Sequence, residues 1–206
     1  MSEHTPFLVV EGPIGVGKTT LTKLLAAEFG FASLTEIVEE NPFLGKFYEN
    51  IEEWSFQTEM FFLCNRYKQL GDTAEKLQVG VPIVADYHIF KNLIFARRTL
   101  PKEQLDKYIR IYNILTEGVP EPTAIIYLHA SLPTLLKRIN QRGRSIEKQI
   151  DPEYLKQLMF DYEEAISSMA AMYPHVPIIK IDGDQFDFVE RSNDLEYIYQ
   201  LVRETT

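Results

Sequence analysis

Residues 7–29 read FLVVEGPIGVGKTTLTKLLAAEF: an apolar run, a glycine-studded loop and a stretch with apolar residues at helical spacing. Gly12, Gly17, Lys18 and Thr19 satisfy G-x-x-x-x-G-K-[ST], the phosphate-binding loop. Pro13, Ile14, Gly15 and Val16 fill its interior, and Thr20 follows it, so the loop spans residues 11–20. Glycines let backbone N–H groups turn toward phosphates, and the helix N-terminus behind them adds a favourable dipole. Lys18 can reach the β and γ phosphates, and the Thr19 hydroxyl can ligate Mg²⁺. Strand before and helix after are what this mechanism requires. The loop implies a bound ATP or GTP with Mg²⁺, and leaves the acceptor open.

Composition narrows the acceptor. The chain has 206 residues, 45% hydrophobic and 25% charged, which suits one domain over 1–206. A net charge of −9 argues against a nucleic-acid polymer as partner. The basic cluster KRINQRGR (137–144) is too short for a duplex footprint and suits one polyphosphate. No apolar stretch approaches the ~20 residues that span a bilayer. MSEHTPF at the start lacks the pattern of a signal peptide, so a cytoplasmic location is expected. The one cysteine, Cys64, excludes an intramolecular disulfide, and its apolar run MFFLCNRY predicts a buried thiol.

FLVV (7–10), VPIVAD (81–86), AIIYLHA (124–130) and VPIIKID (176–182) read as fully buried strands, with SLTEIVE (33–39) a weaker fifth. Helices are predicted over 19–29, about 53–77, 132–142, 151–172 and 193–204. Gly30 is a good C-cap for the first, and Asp151 with Pro152 starts the fourth. GDTAEKLQVGV and TEGVPEP read as short loops. Alternating strands and helices imply an α/β fold with a parallel sheet covered on both faces.

Acidic residues stand where such folds place ligands. Glu36 follows the second candidate strand, near Glu39 and Glu40. Asp86 closes VPIVAD and could bind Mg²⁺ directly or through water. A carboxylate beside an alcohol acceptor can take its proton during transfer. Arg138, Arg142 and Arg144, with Gly143 among them and Glu147 following, suit a closing lid over phosphates at about 141–150. In NPFLGKFYENIEEWSFQTEMFFLCNRY, most aromatics are expected in the core. Gln57 could offer an amide to a base edge beside Phe56, and Tyr48 a hydroxyl to a sugar.

Together these stretches resemble the deoxyribonucleoside kinases, and among them the purine-specific bacterial members. The resemblance lies in EGPIGVGKTTL, TEIVEENPFLGKFY, WSFQTEMFFLCNRYKQL, IVADYHIFKN and QRGRSIEKQI, in order over nearly the whole chain. It implies a P-loop kinase fold with a five-stranded parallel sheet, flanking helices and a short arginine-bearing lid, usually in a homodimer. It implies Glu36 as general base for a 5′-hydroxyl, with Tyr48 and Glu147 on the sugar 3′-hydroxyl. Gln57 is similar to the family's base-binding glutamine, with Trp54 and Phe56 beside it. Arg142 and Arg144 match lid arginines, and Arg138 a nearby basic position. GDQFDF (183–188) looks like the donor-base loop.

The family's usual acidic-Arg-Ser after the third strand is here Asp86-Tyr87-His88, a form associated with the guanine-specific branch. Arg66 or Lys91 is left to replace the missing arginine, and His88 reads as a packed histidine. The implied reaction is γ-phosphoryl transfer from ATP to the 5′-hydroxyl of a purine deoxyribonucleoside, with deoxyguanosine expected. Lys18, Arg142 and Arg144 would neutralise charge, while Thr19 and Asp86 hold Mg²⁺. Gln57, Asn92 and Arg66 are candidates for base selection. A deoxyadenosine kinase of the same family is one alternative, and a nucleotide-binding P-loop protein without turnover another.

Overall fold

The computed structural model describes residues 5–38, 40–144, 147 and 149–205. Glu39 of the expected second strand and Ser145, Ile146 and Lys148 of the expected lid lie outside the described residues, as do Met1–His4 and Thr206.

Five parallel strands form one sheet in the order β2-β3-β1-β4-β5. They are β1 (Phe7–Glu11), β2 (Ala32–Leu34), β3 (Ile83–Ala85), β4 (Ala124–His129) and β5 (Ile178–Asp182). Strand β1 is central, paired with β3 from Phe7↔Ile83 and with β4 from Leu8↔Ala124. Its side chains alternate between two cores. Phe7 and Val9 join Ile83, Ala85, Ile125 and Tyr127 on one face. Leu8 and Val10 join Val84, Ile126 and Leu128 on the other. Two covered faces explain why β1, β3 and β4 read as unbroken apolar runs.

The edge strands differ from expectation. β2 spans only Ala32–Leu34, shorter than the expected 33–39, and Glu36 follows it as expected. In β5, Lys180 is exposed and Ile178 and Ile179 are only half-buried, while Ile181 is buried. An edge strand has one neighbour, so partial exposure is the ordinary result.

Eight helices are described: α1 (Lys18–Phe29), α2 (Leu44–Glu49), α3 (Ile51–Gln78), α4 (Lys91–Thr99), α5 (Lys102–Thr116), α6 (Leu132–Arg142), α7 (Pro152–Met172) and α8 (Ser192–Thr205). Gly30 ends α1 in the left-handed conformation, with its N–H on the Ala26 carbonyl. Asp151 caps α7 by accepting from the Glu153 N–H. Asn50 caps α3 in the same way through Glu53, with Glu52 and Glu53 favouring the positive end of the dipole. Helix α3 continues through GDTAEKLQ to Gln78, close to the expected helix end at about 77 and in place of the loop expected from Gly71. Gly71 lies inside a helix already 20 residues long, where the loss of propensity costs only about 1 kcal/mol. Helices α2, α4 and α5 were not anticipated.

Cys64 is exposed on α3, against the expected burial. Phe62, Leu63 and Arg66 take the inward positions of that helix, and the ~100° step per residue turns Cys64 outward. Among the described residues, no helix is long and apolar enough to cross a membrane.

Candidate active site

The carboxyl ends of β1, β2 and β3 and the start of α1 open on a cleft of about 1310 Å³. The phosphate loop forms one wall. Gly12 has φ 147°, and a Cβ there would stand 2.1 Å from the Leu128 carbonyl oxygen. A Cβ at Gly15 would stand 2.6 Å from Ile139 Cγ1. The loop is therefore pressed against β4 and α6, an approach only glycine allows. Gly17 begins α1 without a side-chain cap, so the first-turn N–H groups remain available at the cleft wall.

Lys18 Nζ donates to the carbonyls of Gly12 (2.7 Å) and Pro13 (3.0 Å). Burial, and then the charge of Lys91, push this ammonium down to about 8, which still leaves it mainly charged at neutral pH. Beneath it, buried Glu11 accepts from the His88 N–H (2.5 Å) and the Gly12 N–H (3.2 Å). Burial pushes the Glu11 carboxyl up. That carboxyl joins the phosphate loop to the segment after β3.

Glu36 and Asp86 face the same cleft. Asp86 accepts from the Thr19 hydroxyl (2.6 Å) and from the Glu36 N–H (2.7 Å). The Glu36 carboxylate is held at both oxygens: Arg66 Nη2 donates to Oε1, and Lys91 Nζ donates to Oε2 at 2.7 Å. Burial would raise this carboxyl. The adjoining charges of Lys91 and Arg66, with their hydrogen bonds, outweigh burial and hold it well below the usual carboxylate range. Tyr87, where the family usually has arginine, sets its ring 5.5 Å from the Arg66 guanidinium and donates to Gln69 Oε1 (2.7 Å). Tyr87 thus supports Arg66, and Lys91 supplies the second cation. Burial pushes His88 down to about 4, and its Nδ1 accepts from the Phe90 N–H, so it is a neutral packed ring.

Arg138, Arg142, Arg144 and Glu147 line the far side. Arg142 donates from Nε to Glu147 Oε2 (3.0 Å) and from Nη2 to Oε1, while Arg144 Nη1 is 3.5 Å from Oε1. Arg138 spans the Val16 carbonyl and the Gly183 carbonyl, both at 2.9 Å. Gly183, Asp184, Asp187 and Phe188 of the 183–188 loop also line the cleft.

The opposite end is a chamber of Leu44, Phe47 and Tyr48 from α2, Thr58, Glu59, Phe62 and Arg66 from α3, and Phe95 from α4. Burial, and next the Glu147 carboxylate, push the Tyr48 hydroxyl above its ordinary value, so it stays a donor.

Four expected substrate contacts do not line this chamber. Gln57 is exposed on α3. Trp54 stacks on Phe43 (ring centroids 6.0 Å apart) under the Lys46 ammonium. Phe56 packs on the core, and buried Asn92 donates to the Tyr108 hydroxyl (2.8 Å). The reason is helical phase. Gln57 is nine residues from Arg66, about two and a half turns, and so lies on the opposite face of α3. Glu59 is seven residues from Arg66, about two turns, and shares its face. That spacing was in the sequence and could have found Glu59.

A phosphate loop opening on a carboxylate clamped by two cations, at the strand ends of a 2-3-1-4-5 sheet, defines the class: a P-loop kinase. The deoxynucleoside kinase family model matches residues 8–206, and the chain belongs to that family. The chain is 56% identical to the deoxyguanosine kinase of Bacillus subtilis (strain 168), over 97% of each. It is 34% identical to the deoxyadenosine/deoxycytidine kinase of the same organism, over 98% of this chain and 95% of the relative. A solved deoxyadenosine kinase from M. mycoides with bound dCTP superposes with a TM-score of 0.82 at 25% identity, covering 96% of this chain and 99% of that one.

Proposed function

We propose that the cleft transfers the γ-phosphoryl group of ATP to the 5′-hydroxyl of a purine deoxynucleoside, with deoxyguanosine as the acceptor. The observation that carries this reading is Glu36, ionised between Arg66 and Lys91 and lining one cleft with the phosphate loop. The 56% identity to a deoxyguanosine kinase supports the guanine base.

In the reaction a bond forms between the 5′ oxygen and Pγ, and the bond from Pγ to the β-bridging oxygen breaks, leaving ADP. Glu36 accepts the hydrogen bond of the 5′-hydroxyl and orients an oxygen lone pair toward Pγ. Its low proton affinity suits a loose transition state, in which the hydroxyl proton passes to the Glu36 carboxylate late, as the O5′–Pγ bond forms. Lys18, Arg142 and Arg144 neutralise charge on the transferring oxygens. The phosphate-loop backbone, residues 12–17 with Thr20, holds the donor phosphates, and Arg138 braces the loop. Tyr48 and Glu147 take the sugar 3′-hydroxyl.

Thr19 and Asp86 fit Mg²⁺. A hydroxyl touching a buried carboxylate offers two hard oxygen donors, and Mg²⁺ otherwise keeps water and phosphate ligands. The metal would supply charge neutralisation across the donor phosphates. The chain acts as one kinase domain over 1–206, in the cytoplasm. It pairs as a homodimer, which outward-facing Tyr67 on α3 and Phe160 on α7 would suit. Elution at the monomer mass in size exclusion refutes the pairing.

ATP consumption measured with each deoxynucleoside, for wild type and Glu36→Gln, tests the reading. Deoxyguanosine turnover by wild type and its loss in Glu36→Gln are expected. Absence of turnover with every deoxynucleoside refutes the kinase, and full rate in Glu36→Gln refutes the assigned base.

A further inference from the structure

Glu59 has no part in the chemistry above, yet it is 2% exposed and lines the chamber. Its Oε2 is buried with no hydrogen-bond partner among the described residues. A buried carboxyl left unpartnered costs stability, so its retention at a cavity wall calls for a ligand. Beside it, Arg66 commits Nη2 to Glu36 while its Nε and Nη1 are likewise buried and without partners.

The chemistry that completes this pair is specific. A 2-amino-6-oxopurine presents adjacent N–H donors at N1 and the 2-amino group, and adjacent acceptors at O6 and N7. Adenine reverses the polarity at positions 1 and 6, bringing a lone pair to a carboxylate and an amino group to a guanidinium. Hypoxanthine keeps the 6-oxo group and lacks the 2-amino donor. Resting on the kinase reading above, we infer that Glu59 selects the base, accepting from N1–H and the 2-amino group of guanine while the open edge of Arg66 donates to its acceptors. Burial pushes the Glu59 carboxyl up to about 8, and two donated N–H groups offset that cost when the base is bound.

Steady-state kinetics with deoxyguanosine, deoxyinosine and deoxyadenosine, on wild type and Glu59→Gln, test the assignment. In wild type, deoxyinosine should have a kcat/KM about tenfold or more below deoxyguanosine, the effect of one missing donor. In Glu59→Gln that difference should close, and the ratio of deoxyguanosine to deoxyadenosine should fall at least about tenfold. An amide offers one donor and one acceptor, which matches adenine better than guanine. A proportional loss on all three substrates, leaving their ratios within about twofold of wild type, overturns the assignment and marks Glu59 as structural. Equal use of deoxyguanosine and deoxyinosine by wild type also overturns it, and that comparison needs no variant to fold. Failure of wild type to use any purine deoxynucleoside would refute the kinase reading itself. Deoxyguanosine turnover with unmoved ratios refutes only the role of Glu59.

Discussion

Lys91 Nζ lies 2.7 Å from Glu36 Oε2, an ion pair formed between residues 55 apart in the chain and largely shielded from solvent at the wall of the cleft. It keeps a buried carboxylate charged, because the attraction exceeds the desolvation that burial imposes. Lys91→Met should let the Glu36 carboxyl rise toward the usual range, with Arg66 alone opposing burial. The pH profile of kcat/KM should then gain an acid limb between about pH 3.5 and 5 that wild type lacks. Glu36→Gln should lower kcat by roughly 10²–10⁴ at every pH. A Lys91→Met profile parallel to wild type would remove the ion pair from the mechanism.

Asp86 ties the Thr19 hydroxyl to the backbone of Glu36. Asp86→Asn keeps the shape and loses the charge. The Mg²⁺ concentration for half-maximal rate should rise by about 10–100-fold, with a smaller change in the nucleoside KM. Titrating Mg²⁺ at saturating ATP measures it, and an unchanged midpoint would free Asp86 of any metal role.

Arg142 reaches Glu147 through two nitrogens, a geometry that lysine cannot copy. Arg142→Lys should therefore lower kcat by an order of magnitude or more while ATP still binds. Single-turnover rates alongside ATP affinity separate the two effects. Equal loss in both would make Arg142 a ground-state contact.

Glu59 also bears on folding. Its neighbours are Arg66 on the same helix, Lys91 on α4, Glu36 after β2, and the tyrosines Tyr48, Tyr108 and Tyr154 from α2, α5 and α7. With the folded value near 8 and the unfolded value near 4.5, the native chain holds a proton over that interval which the unfolded chain has released. Stability therefore falls as pH rises from about 4.5 to 8. Glutamine has no such proton. The stability of Glu59→Gln relative to wild type should thus increase by on the order of a few kcal/mol between pH 5 and 8.5, read by urea unfolding. Glu36 has the opposite sign, its contribution being lost only as pH falls below about 4.5, so it does not mask this window. A pH-independent difference would mean that Glu59 is ionised in the folded chain.

Much of the architecture was legible because strong local signals and global packing agreed. The buried strands β1, β3 and β4, the caps at Gly30 and Asp151, and the loop from Gly12 to Thr19 each carry their own chemistry. Helix α2 has only six residues and was hidden in an aromatic cluster. Helix α5 carries Leu105, Tyr108, Tyr112 and Leu115 at helical spacing, so its signal is present in the sequence. In the site, Glu36, Tyr48, Asp86 and the arginines line the cleft, while Trp54, Phe56, Gln57 and Asn92 do not. The four lie within segments whose general position was clear, and what failed was the choice of face. One residue of phase on α3 turns a side chain by about 100°, enough to exchange solvent for cavity.

Arg66 divides its guanidinium between two tasks, with one nitrogen on Glu36 and two left open in the interior. The group is planar and rigid, so whatever meets its open edge also sets the angle at which it grips the carboxylate. A nucleobase that pulls this plane askew would leave Glu36 ionised and misaimed. Discrimination among bases would then register as slower turnover of a bound, unreactive substrate as well as weaker binding. Recognition and reactivity would then be geared together through one side chain, so that a change at Arg66 would move both.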